Sequence, residues 1–127
     1  MERLKMRLKD AQNALTTLKE VMNEPFSMIV RDAAIQRFKY TFEAFWKFIK
    51  AFLRKEEGII ANSPKACFRE IFSLGLCSEE ETVQLQEMVD KRNETSHTYK
   101  EEVAKLIYDR INDYFLLMRK ILDIINK

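Results

Sequence analysis

The sequence predicts an all-α protein: an up-and-down bundle of about five helices, three long and two short, in a single domain over residues 1–127. Two observations carry that expectation. Only two Gly and two Pro occur in 127 residues, and so few breakers leave long helices with short joints. Apolar side chains also recur at alternating steps of three and four along most of the chain, while no stretch offers a strand. With 46% hydrophobic and 33% charged residues, the chain has the composition of an ordinary globular domain rather than a disordered one.

Leu4, Leu8, Ala11, Leu15, Leu18 and Met22 form the stripe of the first helix, which Asn23, Pro25 and Ser27 are expected to end. In the second and longest helix, Ile35, Phe38, Phe42, Phe45, Ile49 and Phe52 make one line and Phe42, Trp46, Ile49 and Leu53 another. A face that wide predicts a central helix with two or more neighbours, closed by Gly58 as C-cap. Ser63-Pro64 opens the third helix as N-cap and first helical residue, with Cys67, Ile71 and Leu74 inward, Phe68 and Phe72 beside them, and Gly75 at its end. Ser78 and Glu81 form a capping box that starts a short helix carrying Val83, Leu85, Met88 and Val89 to about Lys91. A second box, Thr98 with Glu101, is expected to start the last helix, whose buried face is Val103, Ile107, Ile111, Tyr114, Met118, Ile121 and Ile125.

The totals exclude several function classes. A net charge of +2 and a pI near 8.5 fall short of the pI above about 9 of a dedicated nucleic-acid binder. The N-terminal stretch is locally basic, with Arg3, Lys5, Arg7 and Lys9 against Glu2 and Asp10. Cys67 and Cys77 make no CxxC and join no His/Cys cluster, so no zinc site and no other metal or cofactor is expected. No apolar run approaches the roughly 20 residues of a membrane span, and no secretory signal leads the chain, so a cytoplasmic protein without a disulfide is expected.

Between the last two helices the periodicity stops at RNETSHTY, residues 92–99, which holds the only histidine, His97. Residues five apart on one α-helix point about 140° apart. A break after Arg92 and a restart at Thr98 would instead let Arg92 and His97 turn toward one pocket. Asn93, Thr95, Ser96 and Thr98 favour such a break because their side chains compete for backbone hydrogen bonds. Structural roles account for the same residues, and on composition and spacing alone they are the preferred reading. Arg92 complements the negative end of a helix, Asn93 caps it, His97 bonds a backbone carbonyl and Tyr99 packs at a helix start.

RDAAIQRFKYTFEAFWKFIKAFL (31–53), SPKACFREIFSLGL (63–76) and RNETSHTYKEEVAKLIYDRI (92–111) together resemble the nucleotidyltransferase substrate-binding branch of the HEPN family, whose signature is R-x4-H-x-Y. The likeness covers most of the chain in the same order; Lys39 stands where relatives commonly carry Glu, a position outside the family's chemical groups. The resemblance implies a partner of a minimal nucleotidyltransferase, acting as the metal-independent ribonuclease toxin of a toxin–antitoxin pair. It implies catalytic Arg92 and His97, supporting Asn93, and AMP attachment to Tyr99 as the means of neutralisation. Within that branch the alternative is a non-catalytic subunit that binds substrate or nucleotide for the transferase.

The residue types suit the chemistry. RNA cleavage without a metal needs a base for the ribose 2′-hydroxyl, an acid for the leaving oxygen and positive charge at the phosphate. Histidine fills either proton role, and arginine offers a fork of donors to phosphate. One imidazole cannot be base and acid at once, so a catalytic reading requires a homodimer that brings two copies of the motif together. Three further features have plainer explanations. Glu43, set in an apolar face, needs a cation such as Arg37, Lys47 or Arg69. Glu79, Glu80 and Glu81 suit a helix N-terminus better than a metal, and the aromatic stripe of the second helix suits a core better than a stacking platform.

Overall fold

Two serines set the corners of the chain. Ser27 does not close the first helix, as its sequence position suggests, but begins the second: its Oγ accepts from the Val30 amide at 3.0 Å. Ser63 does the same for the Ala66 amide at 3.2 Å, with Pro64 following as first helical residue. The computed structural model describes residues 2–126. They form α1 (Glu2–Met22), α2 (Met28–Glu57), α3 (Pro64–Ser73), α4 (Glu79–Glu94) and α5 (Glu101–Ile125), with a 3₁₀ turn, Thr95–His97, between the last two. No strand occurs among the described residues.

The two glycines sit where left-handed backbone is required. Gly58, at φ 67°, ends α2 and donates to the Leu53 carbonyl. Gly75, at φ 77°, follows α3, where the Leu76 amide closes back on Ile71 O and the Gly75 amide on Phe72 O.

Helix α2 is the axis of the bundle and packs against all four others. Helix α1 runs antiparallel to it: Thr41 Oγ1 donates to the Ala14 carbonyl and Arg37 to the Thr17 carbonyl. Helix α5 runs parallel to α2, as the Phe38–Tyr114 and Arg31–Glu101 contacts show, and antiparallel to α4, as the Glu87–Arg110 and Glu81–Lys120 pairs show. The core is aromatic. Phe38, Phe42, Phe45 and Phe68 are fully buried with Tyr114, and Phe68 of α3 meets both Phe42 and Phe45 of α2.

Three expected core positions fall outside it. Val83 is 65% exposed, because α4 buries only the narrow face of Leu85, Met88 and Val89, and Val83 lies about 200° around the helix from Leu85. Phe72 and Leu74 are also exposed at the end of α3, where the chain turns out of the bundle. Cys67 and Cys77 are buried free thiols; burial pushes the Cys67 thiol up to about 11, far from thiolate reactivity at neutral pH.

The α4–α5 seam carries two carboxylates whose titration bears on stability. Burial pushes the Glu87 carboxyl up, but donation from Arg110 and Tyr114 outweighs it and holds the group below the usual glutamate range. Lys120, followed by the Ser78 amide, holds Glu81 low as well. Stability from a depressed carboxylate is present above the unfolded value, about 4.3, and is lost as pH falls through the folded one. The double variant Glu81→Gln/Glu87→Gln should therefore be less stable than wild type at pH 7. Its deficit should close as the pH falls below about 4, and Glu87 should contribute no more than about 1 kcal/mol because solvent screens its pair. Urea midpoints at pH 7 and pH 3 check this; a deficit equal at both would contradict it.

Candidate functional site

The polar octapeptide does not break the helix where its residue types suggest. Helix α4 runs past Arg92 to Glu94 rather than stopping near Lys91, so Asn93 is a helical residue and not a cap. The hydroxyls give the reason. Thr95 Oγ1 donates to the Arg92 carbonyl at 2.6 Å, Ser96 Oγ to the Asn93 carbonyl at 3.2 Å and Thr98 Oγ1 to the Thr95 carbonyl at 3.3 Å. Each hydroxyl adds a bond to a carbonyl at the end of the helix, the Arg92 carbonyl taking the Thr95 amide as well, so α4 tightens into the 3₁₀ turn instead of unwinding. With Thr98 spent in this way, the expected capping box with Glu101 does not form. Lys100 is the residue before α5, and no side chain caps it. The Glu101 carboxylate goes instead to the buried Arg31 of α2.

Arg92 lies in the last turn of α4 and leans on α2. Its Nε stands 3.5 Å from Glu43 Oε1, close enough for an ion pair but not aligned as a hydrogen bond, so Nε keeps no hydrogen-bond partner. Nη1 donates to Thr95 Oγ1 at 3.3 Å, and the side chain stays 28% exposed. The other oxygen of Glu43 accepts from the Trp46 indole N–H at 3.1 Å. Glu43 thus has the cationic partner its apolar setting demands, but that partner is Arg92 rather than Arg37, Lys47 or Arg69. The sequence signal for this contact was the acid itself, half-buried among Phe42, Phe45 and Trp46.

His97 ends the 3₁₀ turn, exposed, with Nδ1 3.4 Å from the Tyr99 phenol oxygen. The two rings meet edge-on with centroids 6.0 Å apart. Tyr99 is 76% exposed, not packed at a helix start. Asn93 is exposed one residue beyond Arg92. The structure brings His97 to Tyr99 and Arg92 to Glu43 and Thr95; no hydrogen bond joins Arg92 to His97 within one chain among the described residues. Chemically, the junction presents an open imidazole, an open phenol and a braced, partly open guanidinium. Among the described residues no three His, Cys, Asp or Glu side chains group to hold a metal ion, and no helix is long and apolar enough to cross a membrane.

Residues 6–127 match a protein family described as nucleotidyltransferase substrate binding protein like. No curated protein matches the chain. Among solved structures, a protein from Thermus thermophilus is 47% identical, with a TM-score of 0.88 over 92% of this chain and 99% of its own. The chain is also similar in fold to a mutant of the toxin–antitoxin MntA-HpeT, at 12% identity and a TM-score of 0.81 over 99% of this chain and 98% of that one. A third likeness is to the tri-AMPylated Shewanella oneidensis HEPN toxin in complex with MNT antitoxin, at 16% identity and a TM-score of 0.77 over 97% and 96% of the two chains.

Proposed function

The chain belongs to the nucleotidyltransferase substrate binding protein-like family, and from that membership we propose that it is the HEPN-type partner of a minimal nucleotidyltransferase, cutting RNA without a metal ion through Arg92 and His97. The observation that carries the reading is the exposed His97–Tyr99 pair at 3.4 Å on the junction that also holds Arg92. One His97 takes the proton of a ribose 2′-hydroxyl, and that oxygen attacks the adjacent phosphorus. The His97 of a second copy gives a proton to the departing 5′ oxygen, leaving a 2′,3′-cyclic phosphate and a 5′-hydroxyl. Arg92, braced by Glu43 and Thr95, donates to the phosphate oxygens as charge builds on them, and Asn93 supports that contact. RNA incubated with the protein in EDTA is the test: products with those two end groups are expected, and intact RNA at high protein concentration would contradict the reading.

Tyr99 is the acceptor for AMP. Its phenol is exposed and touches the imidazole, so an adenylyl group there covers His97 and sets negative charge where phosphate must bind. The fold shared with the tri-AMPylated Shewanella oneidensis HEPN toxin supports this. Incubation with the nucleotidyltransferase partner and ATP should add AMP to Tyr99 and silence cleavage, and Tyr99→Phe should escape both. Peptide mass mapping checks it; a modified protein with Tyr99 untouched would contradict it. A second reading, a non-catalytic subunit that binds substrate or nucleotide for the transferase, draws on the family's description and on the carboxylate that Arg92 already faces.

A further inference from the structure

A groove of about 680 Å³ runs between α1 and α2, and six of its lining residues are cations: Arg3, Arg7, Lys47, Lys50, Arg54 and Lys55. Among the described residues no acid lines it; Leu4, Trp46 and Ala51 complete the wall. A second groove, between α1 and α5, mixes both signs, with Glu20 and Asp123 against Lys19 and Arg119. Some cations elsewhere in the bundle find carboxylates, as Arg31, Lys65, Lys105, Arg110 and Lys120 do, while others, such as Lys39 and Arg69, pair with none among the described residues. Among the described residues none of the six groove cations finds a carboxylate.

The spacing makes this concentration a track. Arg3 and Arg7 are one turn apart on α1, and Lys47, Lys50 and Arg54 climb one face of α2 at steps of three and four. Like charges at such steps destabilise a helix; Lys50 over the Trp46 ring at 5.7 Å and Arg54 and Lys55 in the last turn of α2 are partly compensated, and a polyanion would offset the repulsion that is left. Because the two helices are antiparallel, the rows face each other as rails. The track also reaches the motif. Trp46, in the groove wall, donates to Glu43, and Glu43 pairs with Arg92. From Glu43 to Arg54 the rise along α2 is about 16 Å.

We propose that this groove binds the sugar–phosphate backbone of a single RNA strand as it leaves the Arg92 site, with the cations on phosphates and Trp46 beside a ribose or base. The choice of RNA rests on the ribonuclease reading above; the anionic-strand site does not.

The test measures binding of a 2′-O-methyl oligouridylate of about 20 nucleotides, which lacks the attacking hydroxyl, to the full chain in EDTA over a range of salt. The triple variant Lys47→Glu/Lys50→Glu/Arg54→Glu should bind at least about tenfold more weakly, and the slope of log affinity against log salt should shrink by about 2, near 0.7 per lost contact. The Lys47→Gln/Lys50→Gln/Arg54→Gln form should move the same way by less, with thermal unfolding confirming that both variants fold. Unchanged affinity and slope in both folded variants overturn the groove while leaving the cleavage reading intact. Groove-dependent binding by a wild type that cuts no RNA supports the groove and removes the cleavage reading. Loss of binding to the nucleotidyltransferase partner with RNA affinity unchanged would make the surface a protein dock and overturn the proposal.

Discussion

Replacing His97 by alanine should abolish RNA cleavage in EDTA while leaving the bundle intact. A positioned general acid or base contributes about 10²–10⁴-fold to rate. In a dimer the substitution removes both proton-transfer groups together, so the loss should reach at least that range. Stability should not follow. His97 is exposed, and its side chain's polar contact is with Tyr99, itself 76% exposed; a surface change of this kind stays within about ±0.5 kcal/mol. A gel assay of RNA cutting, paired with thermal unfolding of the same preparation, checks both halves. An alanine variant that folds and cuts RNA at the wild-type rate would remove His97 from the mechanism.

The largest effect on stability should come from Phe38→Ala. Phe38 is fully buried; its ring stacks on Tyr114 at 5.8 Å and 25° and meets Phe42 at 6.4 Å. Truncation empties the contact between α2 and α5, and large-to-small changes at such sites cost about 3–5 kcal/mol. That is a large share of the roughly 5–15 kcal/mol that holds a typical domain together. The cavity would also loosen Tyr114, whose hydroxyl donates to Glu87 Oε1 at 2.8 Å. Phe26→Ala is the control: Phe26 is 64% exposed and touches Tyr108 edge-on, so its loss should be small. Urea midpoints of the two variants should differ widely. A Phe38→Ala deficit no larger than that of Phe26→Ala would contradict the packing described here.

What could be read from the sequence was local. The Ser63-Pro64 start of α3, the reciprocal Ser78–Glu81 box and the left-handed Gly58 all form within one or two turns, and residue type decides such contacts. The wide face of α2 was legible for a similar reason, since its phenylalanines repeat at helical spacing along most of its length. The octapeptide was not legible, because a threonine or serine hydroxyl serves equally well as an N-cap for the next helix or as a donor to the carbonyls of the last one. Composition names the hydroxyl but not its direction. Thr95, Ser96 and Thr98 all turn back, so α4 grew and the second capping box vanished. The Glu43–Arg92 pair spans an intervening helix, and nothing local to Glu43 favours Arg92 over the nearer Arg37 or Lys47. The N-terminal charge cluster was visible as composition, but only the antiparallel packing of α1 on α2 sets Arg3 and Arg7 opposite Lys47, Lys50 and Arg54.

The cleavage chemistry requires two imidazoles, and this chain supplies one. Specific RNA-cutting activity should therefore be measured across a dilution series alongside the mass in solution, starting from a particle of twice the 15.2 kDa chain. Activity per chain that falls in step with the dimer fraction is the expected result. Full activity in a 15.2 kDa monomer would contradict a site shared between two copies.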